Sequence, residues 1–428
     1  MAADRRGWRP GGLANLAGLA GVLLLLVGLA TGRPDVALLG VPGLLATLIS
    51  RTGRTPDVLT AEPEAGPLEV VGGITSGVRV SGGEVAHVRA SAPGHRKSEF
   101  VARVPEMGRT FELKLASRRT GPQATALADV RGYAGAWQHE PLTVGGSTRL
   151  VLPTATPLGR VPVPRRSRGL AGPRVSRRFG DGSELRDVHP FQPGDRLKRI
   201  DWRATARRSP NLDTLYVRRT FADAEAAVMM VVDSRDDVGP DVRTWSGFGE
   251  RRVDEATSLD LARGAAASVA QTLVDRGDRV GLVDLGRNAR PLAPAAGGRQ
   301  LRRVLHGLAL ARPVGTPSRR VRPPQVPADA MIYLFSTMLD EPAADLVRTW
   351  RSLGHPVVVV DTLPDVHAVT QTSLAIAWRI VSMERQLRLD ELTREHIPVV
   401  AWAAANRTEA IATLAALGRA AARQRDWR

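Results

Sequence analysis

Four aspartates, Asp233, Asp284, Asp340 and Asp361, each close a run of apolar residues that reads as a buried strand. In an open α/β sheet the ligand crevice lies beyond the carboxyl ends of the strands, so these acids stand where a binding site could use them. A second concentration of polar groups is "GDRLKRIDWRATARR", Gly194 to Arg208, with six basic residues and two aspartates around Trp202. Bases interleaved with an aromatic suit phosphate contact and base stacking. Elsewhere catalytic chemistry is thin. The chain has no cysteine, which excludes disulfides, thiolate metal sites and thiol nucleophiles. Its eight histidines, His87, His95, His139, His189, His306, His355, His367 and His396, are scattered, and none pairs with another at helical spacing. No G-x-x-x-x-G-K-[ST] occurs. The nearest stretch, "GHRKS" from Gly94 to Ser98, lacks the second glycine, so ATP hydrolysis by this chain alone is not expected. There is no G-x-S-x-G, no H-E-x-x-H and no G-x-G-x-x-G after a strand. The expectation is of no enzyme activity and no catalytic residue.

The formal charge of +17 points by itself to an anionic partner. Yet all but Lys97, Lys114 and Lys198 of the 60 basic residues are arginine, a bias that can reflect coding rather than binding. The excess concentrates in residues 160–220, with 16 Lys/Arg against 6 Asp/Glu. Two readings of this segment stand. In one, Phe179, Phe191, Trp202 and Tyr216 are stacking platforms in a nucleic-acid surface. In the other, Asp195 and Asp201 bracket Arg196, Lys198 and Arg199 and pin a loop by charge pairing, with Pro193-Gly194-Asp195 as its turn and Trp202 as a buried anchor. The placement of the acids favours the second, and nucleic acid is not the expected partner.

The elements that must position these groups follow from periodicity. From Ala224 apolar runs alternate with amphipathic segments: "AAVMMVVD", "DRVGLVDLG", "DAMIYLFSTMLD", "HPVVVVDT" and "IPVVAW" read as strands, with helices between them. That alternation predicts a doubly wound α/β sheet over 223–428. Residues 66–158 show period-two alternation, as in "TFELKLAS", broken by Gly, Pro and Ser, which predicts a small β-sandwich-like module. Residues 159–222 form the basic connector between the two. At the front, Leu13 to Thr31 is uncharged for 19 residues, and Val36 to Ser50 follows after a short polar break. Such lengths predict two spans, a transmembrane helical hairpin within 1–55. Arg5, Arg6 and Arg9 before it, with Arg51 and Arg54 after it, place both ends and the folded domains on the cytoplasmic side of the cell membrane. Small residues four apart, Ala14 with Gly18 and Gly28 with Gly32, offer close helix approach in the bilayer.

In this order the segments resemble the bacterial domain-of-unknown-function 58 family. The resemblance rests on Glu184-Leu185-Arg186, Pro193-Gly194-Asp195, Arg199-Ile200-Asp201-Trp202 and Ala206-Arg207, leading into "VMMVVDS". Gly194, Asp195, Arg199, Asp201, Trp202 and Arg207 are its signature residues here, and "RRTGPQATALADVRG", Arg118 to Gly132, is similar to a second family segment. The resemblance implies a von Willebrand factor A-like domain. It also implies partnership with a MoxR-type AAA+ ATPase acting on a protein client. Such domains can hold Mg²⁺ through D-x-S-x-S on the first loop, a Thr on the second and an Asp on the third. This chain departs at each: Asp233-Ser234-Arg235-Asp236-Asp237 has Arg and Asp where the serines belong, Arg299 stands near the Thr position, and Ser336-Thr337-Met338 lacks the Asp. The ligands implied for Mg²⁺ are Asp233, Ser234 and Asp237; the alternative is that Arg235 neutralises Asp233 or Asp237 and replaces the cation, so that no cofactor is needed. The resulting expectation is a membrane-anchored, non-enzymatic interaction protein. Nucleic-acid binding through 160–220 and Mg²⁺-dependent adhesion are its alternatives.

Overall fold

The computed structural model describes residues 7–52, 56–64, 66–92, 97–116, 119–135, 137–164, 174–245, 252, 254–287, 290–314, 323–403 and 405–426. Arg5, Arg6, Arg54, Gly94, His95 and Arg118, on which parts of the sequence reading rest, lie outside them. The chain divides into two units, one of Met1–Ser117 with Pro122–Val151, the other of Arg118–Gly121 with Leu152–Arg428.

In the first unit α1 (Gly12–Ala30) and α2 (Pro34–Thr52) form an antiparallel pair. Glycine sets their spacing: a Cβ on Gly21 would sit 2.7 Å from the Gly40 carbonyl oxygen, and one on Gly43 would sit 2.6 Å from that of Ala17. Of the residues picked out by four-residue spacing, Gly28 and Gly18 also lie in the contact, where a Cβ would sit 2.3 Å from the Ala37 nitrogen and 2.8 Å from the Thr47 hydroxyl, whereas Gly32 meets nothing within 4 Å. The expectation of two membrane spans is corrected. Among the described residues no helix is long and apolar enough to cross a membrane. Each helix has 19 residues, at the short end of what a bilayer core of about 30 Å requires, and α2 carries Pro42 in its interior and Arg51 near its end. With the spans goes the placement as a two-span cell-membrane protein.

The rest of this unit is β structure. One sheet runs in the order Trp8–Pro10, Trp137–His139, Leu127–Ala134, Val85–Ser91, Ser98–Arg103; another holds Thr60–Pro63, Gly73–Ser81 and Arg109–Ala116. Every second residue of Val85–Ser91 and of Leu127–Ala134 is buried, as period two requires of a sheet with one face inward. Val88 and Val130 of one sheet share a core with Val78, Val80 and Phe111 of the other.

The second unit is built on a six-stranded sheet, β1 (Ala227–Val232), β2 (Arg279–Asp284), β3 (Leu292–Ala295), β4 (Met331–Ser336), β5 (Val357–Asp361) and β6 (Val399–Ala401), in spatial order β3-β2-β1-β4-β5-β6. All neighbours are parallel except β2 and β3. Residues of one strand alternate between two cores. Val228, Met230, Val232, Tyr333 and Phe335 pack towards α4 (Ser258–Val274), α5 (Gly298–Leu310) and α8 (Arg407–Asp426); Met229, Val231, Ile332 and Leu334 pack towards α6 (Glu341–Ser352) and α7 (Thr372–Arg394). Burial on both faces is why these strands read as unbroken apolar runs. The segment before the connector joins this unit: Val161 and Val163 are buried in the first core, and the Tyr333 hydroxyl donates to the Pro162 carbonyl at 2.6 Å. The connector itself is an antiparallel pair, Arg174–Pro190 with Tyr216–Ala224, carrying α3 (Trp202–Arg208) between them.

Candidate functional site

Chain order reverses between β1 and β4, so the crevice beyond their carboxyl ends is where such a sheet binds ligands. A guanidinium fills it. Arg235 donates from Nε and Nη2 to the two oxygens of Asp233, both at 2.8 Å, and from Nη1 and Nη2 to Asp340 at 2.6 and 3.0 Å. Asp340 occupies the cap position of α6, yet its carboxylate makes no helix cap and serves Arg235. The Ser336 hydroxyl, at the end of β4, donates to Asp233 Oδ2 at 2.8 Å. The side chains of Arg235 and Asp233 are 5% and 8% exposed. Burial works against the Arg235 charge, but the bonds to Asp233 and then to Asp340 outweigh it and hold the guanidinium protonated more firmly than usual. Asp236, outermost on the same loop, lies above the ordinary carboxylate range, first through partial desolvation and then through the like charges of Asp233 and Asp340.

The three residues implied as Mg²⁺ ligands are not brought together. Both oxygens of Asp233 are committed to Arg235 and Ser336. Ser234 is fully buried and turned to the neighbouring strand, where its hydroxyl donates to Asp284. Asp237 accepts from the Leu259 N–H at the start of α4 (3.3 Å) and lies 3.6 Å from Arg119. Among the described residues no group of three or more His, Asp or Glu could hold a metal ion. A cation needs several free oxygens around one point; here the charge at that point is already a side chain's. Of the alternatives open in the sequence, Arg235 pairs with Asp233 and not with Asp237.

The other rim acids are likewise engaged. Asp284 accepts from Ser234 and from the Gly286 N–H at 3.1 Å, and burial pushes its carboxyl up despite those bonds. Asp361 is paired with Arg385 of α7, whose Nε also donates to the Thr337 carbonyl at 2.7 Å. Arg388 donates to the Met338 carbonyl at 2.7 Å. Two arginines from α7 thus anchor the third loop, and Met338 there adopts φ 54°, a conformation that costs a non-glycine residue energy and needs such support.

A charge cluster that sequence reasoning missed lies at the start of α4. Asp260 closes a capping box with Thr257 and also receives the Thr120 N–H and hydroxyl, both at 2.7 Å. Arg119 Nε lies 2.6 Å from it, and Arg263 Nη1 bonds it at 3.2 Å. Arg263 is itself buried, with bonds to the carbonyls of Leu308 (3.0 Å), Ala311 and Thr120 (2.9 Å); burial lowers its affinity for the proton against the pull of Asp260 and Asp237. Thr257-x-x-Asp260 before an apolar run is a capping signature and could have identified the acid, though not its distant partners.

The signature residues of the connector have mostly structural places. Gly194 turns the chain with φ 102°, which favours glycine. Asp195 accepts the Gln192 N–H at 2.9 Å, and Asp201 caps α3 through the Ala204 N–H at 2.9 Å. Across the strand pair Arg219 lies 3.8 Å from Asp195 and Arg218 lies 3.9 Å from Asp201. Arg199 lies in a short 3₁₀ turn, half-buried. Trp202 is not a buried anchor. It is 62% exposed on α3, with Leu197, Lys198, Arg203 and Arg207 exposed around it. The helix is held from its other face, where Thr205 is buried and its hydroxyl accepts the Tyr216 N–H at 2.9 Å.

Residues 187–370 match the model of a family described as protein of unknown function DUF58. Uncharacterized proteins of Mycobacterium bovis and Mycobacterium tuberculosis are 31% identical to the chain over 184 residues, 43% of its length. The matched region spans about half, 48%, of those relatives.

Proposed function

We propose that this DUF58 protein is a non-enzymatic interaction protein that works with a MoxR-type AAA+ ATPase on a protein client. In this reading its α/β unit is a von Willebrand A-like domain in which Arg235 takes the place of the cation. The sheet order β3-β2-β1-β4-β5-β6 with β3 antiparallel at the edge supports the domain reading. The observation that carries the functional reading is the crevice at the switch point, closed by Arg235 between Asp233 and Asp340, which commits both carboxylates to a side-chain cation. What the connector offers instead is surface: a Trp with surrounding bases, the residue types enriched at protein interfaces. The test is co-isolation of the full chain with a purified MoxR-type ATPase, with and without nucleotide, comparing wild type with Trp202→Ala and Arg207→Glu. Capture that the variants weaken supports the reading, and absence of capture in every nucleotide state refutes it.

One observation favours a second reading. Exposed Trp202 among Lys198, Arg203 and Arg207 is also the surface a single-stranded nucleic acid uses. Binding of a labelled oligonucleotide at physiological salt, falling steeply as salt rises, would select that reading.

A further inference from the structure

The helix α7 is apolar on two opposite faces. Towards its own unit it turns Trp378, whose ring packs edge-on against Trp245 at 5.2 Å, Arg385 on the third loop, and buried Leu392. These recur every seven residues. On the opposite face Ile376, Ile380, Met383 and Leu387 are 58%, 53%, 58% and 57% exposed. Their spacing of four, three and four is that of the core positions of a two-stranded coiled coil, and a soluble surface does not keep such a continuous stripe without a use for it. The helix is already folded and fastened, since Arg348 of α6 holds Glu391 at 2.9 Å and Glu395, just beyond its end, at 3.2 Å. Docking there needs no ordering of the helix.

We propose that this stripe is a self-association surface, on which a second copy of the chain lays its own α7 in parallel, with Ile376, Ile380, Met383 and Leu387 as the shared seam. The flanking charges argue for a second copy and for the direction. With Ile380 and Leu387 in the first core position of the heptad, Arg379 precedes the seam and Glu384 follows it; both are exposed. In a parallel pair Arg379 faces Glu384 of the partner subunit, and symmetry repeats the contact on the other side. An antiparallel pair would set Arg379 beside Gln386 and Glu384 beside Ala377, matching no charge. The geometry also leaves room: Trp378, Arg385 and Leu392 tie each helix to its own domain on the side away from the seam, so the two domains lie on opposite sides of the helix pair. Ser373 and Asp390 occupy the next core positions and end the seam after about 17 Å at 1.5 Å per residue. A seam so short predicts a weak, reversible dimer.

The native chain has no cysteine, so an engineered one reports register cleanly. The full chain is studied in a mild detergent that masks the exposed leucines of the α1–α2 pair. Sedimentation should show a reversible monomer–dimer equilibrium that Ile380→Glu abolishes, with circular dichroism and melting temperature unchanged. Arg379→Glu and Glu384→Arg should each weaken dimerisation roughly tenfold and together restore it. Met383→Cys should form a disulfide-linked dimer under mild oxidation, because parallel register sets residue 383 against itself. A chain that stays monomeric at about 200 µM, where even a weak dimer should form, overturns the proposal and leaves the stripe to a helix of another protein. Association that survives Ile380→Glu, or a dimer in which Met383→Cys does not crosslink, overturns it equally.

Discussion

Removing the guanidinium of Arg235 tests whether it holds the switch-point crevice together. In Arg235→Gln the Asp233 carboxylate, 8% exposed, loses two bonds of 2.8 Å and keeps the Ser336 hydroxyl and a long contact of 3.4 Å from the backbone N–H of residue 235. Deleting one partner of a buried ion pair costs about 3–5 kcal/mol, because the remaining charge stays desolvated. Asp340 is 38% exposed and regains water, so its share is discounted and the lower end, about 3 kcal/mol, applies. For a unit of this size that is a fall in Tm of roughly 6–10 °C. The pH dependence carries the sign. With Arg235 gone, Asp236 loses the cation that offsets its desolvation and the like charges of Asp233 and Asp340, so its carboxyl, already above the ordinary range, moves further above its unfolded value. The native variant then binds more protons than its unfolded state, so it gains stability as pH falls through the raised value towards about 4. Differential scanning calorimetry from pH 8 to pH 4 should therefore show a gap from wild type that is widest at pH 8 and narrows steadily. A variant within about 0.5 kcal/mol of wild type, or a gap indifferent to pH, refutes the clamp.

Four further outcomes follow from the geometry. Asp260→Ala removes the α4 capping box and leaves Arg263 buried among carbonyls without its carboxylate, so urea unfolding should show a loss of about 3–5 kcal/mol; a loss under about 1 kcal/mol would mean the cluster is incidental. Asp284→Asn should be neutral or stabilising by up to about 1 kcal/mol at pH 7, because burial raises the native carboxyl above its unfolded value and wild type loses stability as pH climbs through that window. The difference should close near pH 4, and a destabilised Asn variant at pH 7 would contradict the assignment. Asp201→Ala should cost about 1 kcal/mol through the lost cap of α3, whereas Trp202→Ala should stay within about 0.5 kcal/mol; reversed magnitudes in chemical denaturation would make Trp202 a structural residue after all. Millimolar Mg²⁺ should leave the wild-type Tm unchanged, since the oxygens of Asp233 are occupied, and a rise above about 2 °C in a thermal shift assay would mean the cation displaces Arg235.

What the sequence made legible was local or periodic. The apolar runs around Val228–Val232, Met331–Ser336 and Val357–Asp361 are strands, and Asp233, Asp284 and Asp361 stand at or next to strand ends, whereas Asp340 lies past the end of its strand at the start of α6. The turn at Pro193-Gly194-Asp195 was readable because glycine and proline restrict φ locally. Pairings between distant residues were not readable. Asp195 and Asp201 also lie near Arg219 and Arg218 of the returning strand, which the connector's antiparallel register brings alongside and no local spacing announces. Arg119 and Asp260 are far apart in the chain, and no spacing rule links them. Trp202 misled for a related reason: a tryptophan is usually buried, but the buried face of α3 is set by Thr205, which packs on the strand at Tyr216. The uncharged runs at the front do become helices, and small-residue spacing picked out Gly18 and Gly28 of their contact; Gly21, Gly40 and Gly43, which also line it, follow no four-residue pair that the reading used.

A side chain in a cation's place changes what a switch-point site can do. A bound metal is exchangeable: it keeps positions open to a partner's carboxylate and can be lost to a chelator. A guanidinium is tethered, always charged at physiological pH and saturates its acids with directed bonds. Arg235 accordingly uses its donors on Asp233 and Asp340. The first loop of the crevice and the third, which carries Asp340, are locked to each other whatever the ionic conditions. The third loop is held from its other side too, through Arg385 and Arg388 of α7. The same helix that fixes that loop carries the exposed stripe on its other side, so a partner seated on Ile376, Ile380, Met383 and Leu387 would meet a surface rigidly continuous with the rim. Binding there could influence the crevice only by shifting α7 itself. The Arg385 and Arg388 bonds to the carbonyls of Thr337 and Met338 are the contacts any such shift must break first.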